Sequence, residues 1–230
     1  MAILALIGGM IMDIWIGCFF IWGNIAIYIL SYFKAQGLDM SYEHVLQMDS
    51  ILVFSNLSGY PIGIFLMSKR IDPRVIILGG ATVSLSGVVL ASYVKTWSAF
   101  CFTYGLMNGI GAGTCYMIPL LVAWEYFPNR RGLVTGLIDG AYGLGAFSYT
   151  LLSKQLVNPN DEAASLKEAT ISFFPSSVAN NAPALLRTLA AAWAIHVLIA
   201  VCLIRRKPLS WKPVVKEGEE PHQENECQSF

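Results

Sequence analysis

Six runs of mostly apolar residues divide this 230-residue chain, roughly at 3–32, 46–67, 75–93, 99–123, 133–152 and 183–204. A helix rises 1.5 Å per residue, so about 20 apolar residues cross the roughly 30 Å hydrocarbon core of a bilayer. Lipid offers no water to pair with backbone N–H and C=O groups, so a spanning segment must be a helix or part of a closed barrel. Runs of this length predict an all-α integral membrane protein, a six-helix bundle over residues 1–206. The first run is longer than a crossing requires and is expected to tilt or project. It lacks a basic start and outlasts the apolar region of a signal peptide, which makes it a span and not a cleaved leader.

Charge supports the same class. Only 13% of residues are charged, against about 25% in a soluble domain, and mean hydropathy is +0.56. The 15 basic and 15 acidic side chains cancel, which excludes a nucleic-acid binder working by bulk positive charge. Charges are thin through the body and dense from Arg205 to Glu226. With Pro208, Pro213 and Pro221 among them, residues 207–230 are expected to form a disordered cytosolic tail or the start of a linker. Lys and Arg mark the cytoplasmic side of short loops. With both termini inside, ten bases lie inside and five outside, accounting for all 15. The inner set includes Lys69, Arg70, Arg74, Arg130 and Arg131, and both termini are expected in the cytosol. The one long outer loop, 153–182, is expected to carry a short surface helix near 161–169, begun by Asp161 and Glu162.

Small residues recur at fours on the spans. Lipid provides no hydrophobic drive between helices, so close approach relies on such stripes. Gly59 and Gly63 mark a packing face on the second span. Gly109 and Gly113 on the fourth and Gly136 and Gly140 on the fifth are expected to meet at an interface between those two helices. The five cysteines form no CxxC pair and no Cys/His cluster with metal-ligand spacing. No phosphate loop, HExxH motif or Ser/His/Asp set appears, so neither an enzyme, a metal nor a cofactor is expected.

One stretch is specific. It runs Tyr104-Gly-Leu-Met-Asn-Gly-Ile-Gly-Ala-Gly113, Tyr116-Met-Ile-Pro119, Glu125-Tyr-Phe-Pro-Asn-Arg-Arg-Gly132, then Thr135-Gly136 and Gly140-Ala-Tyr-Gly-Leu-Gly145. It resembles helices four and five of the major facilitator superfamily, in its oxalate/formate antiporter and monocarboxylate transporter-like branch. The Ile7-Gly-Gly9, Gly17 and Trp22-Gly23 pattern resembles that branch's first helix, and Lys69-Arg-Ile-Asp-Pro-Arg74 its loop between helices two and three. In the family that loop has an acid where Lys69 stands and a glycine where Asp72 stands, which puts its latch between halves in doubt here. The resemblance covers about residues 3–206 and implies the N-terminal six-helix half of a twelve-helix carrier, itself a 3+3 inverted repeat. It implies secondary transport of small organic anions such as monocarboxylates, with a proton, by a half-length unit that needs a second six-helix half or self-association. The alternative is a non-transporting membrane protein: a truncated isoform, a fragment or a structural subunit.

Several polar residues fall at mid-depth. Counted from the inner ends, Asp13 lies ~15 Å in and Asp139 ~12 Å in; Asn56, Asn108 and His196 also fall near the midplane. Charged groups there are costly and face a bundle interior or a cavity. The resemblance puts helices one, two, four and five on the cavity, which favours Asp13, Asn56, Asn108 and Asp139, with Tyr116 and Tyr142 lining a path. Each aspartate is either a proton or cation site, or a neutral, hydrogen-bonded acid between helices. The asparagines equally suit interhelical hydrogen bonds. Acids at this depth do not suit direct binding of a carboxylate; they suit proton coupling or a cationic group.

Overall fold

In the computed structural model, which describes residues 1–168 and 171–206, the chain is a bundle of six long helices. They are α1 (Ala2–Ala35) and α4 (Trp97–Tyr126), α2 (Tyr42–Ser68), α3 (Pro73–Ala91), α5 (Arg131–Val157) and α6 (Ala182–Leu203). Five stretches are long and apolar enough to cross a membrane: α1 to α4, and Ser176–Leu203, which contains α6. The remaining helix, α5, is as long as α2 but carries Asp139 and a glycine-rich face. The tail expected at 207–230 lies outside the described residues.

The helix contacts have an internal symmetry. α2 and α3 both pack on α4, while α5 and α6 both pack on α1. Exchanging α1–α3 with α4–α6 maps one set onto the other. The α1–α4 and α3–α6 contacts map onto themselves. This is the arrangement of a 3+3 repeat, and of one half of a major facilitator superfamily bundle.

Two of these seams are close backbone approaches. A Cβ on Gly59 would stand 2.6 Å from Ile110 O and 2.6 Å from Thr114 N of α4. In the mirrored seam Gly17 of α1 faces the Tyr142 carbonyl, and Gly145 of α5 faces the Ile14 carbonyl. The expectation of a glycine seam between α4 and α5 is overturned. Gly109 and Gly113 lie against Ser55 and Asn56 of α2, while a Cβ on Gly136 or Gly140 meets nothing within 4 Å. A stripe of small residues looks the same in sequence whether it borders a neighbouring helix or an open face.

α1 and α4 each depart from regular α-helix. α1 tightens into a 3-10 segment over Gly17–Ile21, and α4 widens into a π segment over Cys101–Met107. The two irregular stretches meet: the Trp22 and Tyr104 rings are 5.6 Å apart. Beyond them Phe33, Trp97 and Phe100 complete an aromatic cluster. The 34 residues of α1 span about 50 Å, and its C-terminal end projects to meet the long loop. There Ser31 Oγ accepts from Phe174 N at 2.9 Å, and Tyr28 stacks on Phe174.

Among the described residues 161–168, the surface helix expected near 161–169 does not form. Asn158 instead brackets Glu162, donating to its carbonyl and accepting from its N–H, both at 2.9 Å. Asp161 adopts φ +52°, which breaks any helix beginning there. An antiparallel pair follows, β1 (Leu166–Glu168) with β2 (Ile171–Phe173), and Phe173 is buried at its end.

At the other end of the bundle, the loop at 69–74 is built as a cap. The Asp72 carboxylate accepts from Arg74 N at 2.8 Å and starts α3. Arg74 Nε donates to Ile204 O at 3.0 Å, covering the last carbonyls of α6. Lys69 stands over the Phe65 ring, and Arg70 turns the chain at φ +59°. Arg130 closes the 3-10 turn Pro128–Arg130, and Arg131 opens α5 from an exposed position. Arg206 bonds Glu125 at 3.2 Å, tying the chain beyond α6 to the end of α4.

Candidate functional site

Four helices converge on one face at mid-depth. α1 contributes Asp13 and Phe20, α2 Tyr60, α4 Tyr116, and α5 Asp139 and Tyr142. Tyr60 stacks on Tyr116 at 4.9 Å. Tyr142 stands edge-on to Tyr116 at 6.1 Å and to Phe20 at 5.4 Å. The Tyr116 hydroxyl donates to Asp139 Oδ1 at 3.4 Å. The three tyrosines are half-buried, while Phe20 and Asp139 are exposed.

The residues reach this face for local reasons. Gly9 and Gly17 flank Asp13 by one turn on either side. They let α1 lie close to Pro119, Ile138 and the Tyr142 backbone, so Asp13 is enclosed at 0% exposure. A Cβ on Gly136, Gly140 or Gly143 would meet nothing within 4 Å, which leaves the α5 surface around Asp139 uncovered. Pro61, inside α2, removes a backbone donor one residue past Tyr60.

The electrostatics are one-sided. Both Asp13 carboxylate oxygens are buried and have no hydrogen-bond partner. Every Lys and Arg among the described residues lies in a loop, in the β1–β2 pair or within two turns of a helix end. A lone buried charge is expensive, so Asp13 is tolerated as a neutral acid or with a cation nearby.

Of the residues singled out from sequence, Asp13, Tyr116, Asp139 and Tyr142 come together here. Asn56 and Asn108 do not. Asn108 is buried and its Oδ1 accepts from Ser84 Oγ at 2.7 Å, binding α3 to α4. Asn56 is enclosed where α2 crosses Gly113, its Nδ2 unpartnered. Both sit on seams because mid-depth position does not fix which face a residue occupies. His196 also lies apart, its Nδ1 at 3.2 Å from the Tyr149 hydroxyl. Tyr60 and Phe20 were missed; the proline beside Tyr60 is the one signal in the sequence that could have flagged it.

No protein-family profile matches the chain. It is 25% identical to "Apicoplast pyruvate carrier 1" of Toxoplasma gondii over 250 aligned positions, 88% of this chain and 45% of that carrier. It is 34% identical to "Monocarboxylate transporter 9" of Rattus norvegicus over 83 residues, 36% of this chain and 16% of the relative. It is 24% identical to the "Fujikurins efflux protein" of Gibberella fujikuroi over 139 residues, 60% of this chain and 30% of the relative. The chain thus spans less than half the length of these relatives, which are transporters and not enzymes. By sequence and by its six-helix architecture, the chain is a multi-pass membrane protein related to the monocarboxylate transporter-like carriers of the major facilitator superfamily.

Proposed function

We propose that the bundle forms one wall of a secondary active carrier for small organic anions such as monocarboxylates, with both chain termini on the cytosolic side. A second six-helix bundle, in a partner or a second copy, closes the cavity, and access alternates as the two rock about the site. The observation that carries this reading is the uncovered face shared by α1, α2, α4 and α5, with its polar cluster at mid-depth. A carboxylate facing lipid there costs about 2.5–3.5 kcal/mol on insertion scales, which favours a covered, hydrated cavity over Asp139. Asp139, Tyr116 and Tyr142 line that cavity, with Asp13 enclosed behind them, and the carboxylate pair accepts the coupling proton.

The test is counterflow of labelled pyruvate in proteoliposomes holding this chain. Phe20→Cys and Phe147→Cys variants, Phe147 being an exposed residue of α5 two turns beyond Gly140, report by crosslinking whether the face is covered. Saturable counterflow together with crosslinking is the expected result. A crosslinked, covered face without counterflow refutes transport and leaves a structural membrane protein.

A further inference from the structure

We infer that the Asp139–tyrosine face is a binding site for an organic ammonium group, so that the cargo is an amine-bearing carboxylic acid. For the identity of the cargo this rests on the transport reading above; for the binding of ammonium it does not.

The argument begins with charge. Asp139 opens onto the face. Asp13 lies behind it, wholly enclosed, with neither oxygen bonded. One hydroxyl, that of Tyr116, donates to Asp139. The Lys and Arg side chains among the described helices stand within two turns of a helix end, so none lies in the middle of a span to compensate. A simple carboxylate approaching this wall meets repulsion, whereas a cation seated at Asp139 relieves both acids at once.

The rings decide which cation. Tyr60, Tyr116, Tyr142 and Phe20 form a continuous chain of aromatic contacts, joined to Asp139 through the Tyr116 hydroxyl. Aromatic faces attract ammonium groups within about 6 Å, most of all when water is excluded. A small divalent ion would need several oxygen ligands, and no group of three or more His, Cys, Asp or Glu residues suited to a metal occurs among the described residues. An exposed acid beside a run of aromatic rings suits a bulky, weakly hydrated ammonium. In a carrier of organic acids, the carboxylate end of the cargo then points away from this wall, toward the opposing bundle.

The test is equilibrium dialysis of labelled tetramethylammonium against the purified full chain in detergent, with labelled acetate as control. Saturable tetramethylammonium binding without acetate binding is expected. Asp139→Asn, at an exposed position, should weaken it at least tenfold with an unchanged circular dichroism spectrum. Tyr116→Leu should weaken it several-fold, and Tyr116→Phe should restore most of it. Absence of saturable binding by the folded chain overturns the inference, as does equal binding by Asp139→Asn; a pair that only carries protons gives the first of these results. Tetramethylammonium binding without pyruvate counterflow refutes simple monocarboxylate transport and leaves the ammonium site standing. Pyruvate counterflow without tetramethylammonium binding does the reverse.

Discussion

Replacing Gly59 by Ala tests the α2–α4 seam, and replacing Gly136 supplies its control. The new Cβ at position 59 stands 2.6 Å from Ile110 O, 2.6 Å from Thr114 N and 2.8 Å from Gly113 C, all of them α4 backbone. Ordinary contact begins near 3.4 Å, so the helices must part by roughly 0.8 Å (3.4 less 2.6). A gap of that size forfeits a quarter to a half of each dispersion well, about 0.03–0.1 kcal/mol per atom pair. A few tens of pairs along the seam amount to about 1–3 kcal/mol, the usual cost of overpacking. At position 136 the added methyl meets nothing within 4 Å. Both variants gain the same helix propensity, about 1 kcal/mol, so their difference isolates the seam. The measurement is unfolding in mixed micelles with rising sodium dodecyl sulfate, followed by circular dichroism. Gly59→Ala should unfold earlier than Gly136→Ala by about 1–3 kcal/mol. Equal midpoints would refute the geometry.

Other expectations follow from single contacts. Ser84→Ala removes the bond to Asn108 and should cost about 0.5–2 kcal/mol in the same assay; an unchanged midpoint would mean that Asn108 finds another partner. Asp13→Leu removes a buried, unpartnered carboxyl and should raise the midpoint by about 1 kcal/mol or more, while abolishing tetramethylammonium binding; a lower midpoint would mean that the acid is paired in the membrane. Cysteines at Lys154 and Arg130 should label from opposite sides of sealed vesicles, and same-side labelling would overturn the proposed orientation.

The spans are legible because lipid leaves the chain so few options: about 20 apolar residues with no inserted charge can hardly be anything but a crossing helix. The rest depends on which way a helix is turned. Gly113 and Gly140 carry the same four-residue spacing, yet one lies under α2 and the other borders an open face. Asp13 and Asn108 are both near mid-depth, yet one joins the tyrosine cluster and the other joins α3 through Ser84. Such rotations are set by all the neighbours together. The hairpin at 166–173 was missed for a local reason: Asp161 and Glu162 are good helix starters, but Asn158 captures the backbone of Glu162 first.

The 3-10 stretch of α1 amounts to a stored length of screw thread. A 3-10 helix rises about 2.0 Å per residue against 1.5 Å, and takes 3.0 residues per turn against 3.6. Relaxing Gly17–Ile21 to α-helix would shorten α1 by about 2.5 Å and turn everything beyond Trp22 by about 100° relative to Asp13. Trp22, engaged with Tyr104 in the widened turn of α4, would be carried off that ring. The N-terminal segment of α1, holding the carboxylate, and its C-terminal segment, holding the aromatic cluster, are therefore geared to one another through five residues, and neither can rotate far without the other registering it.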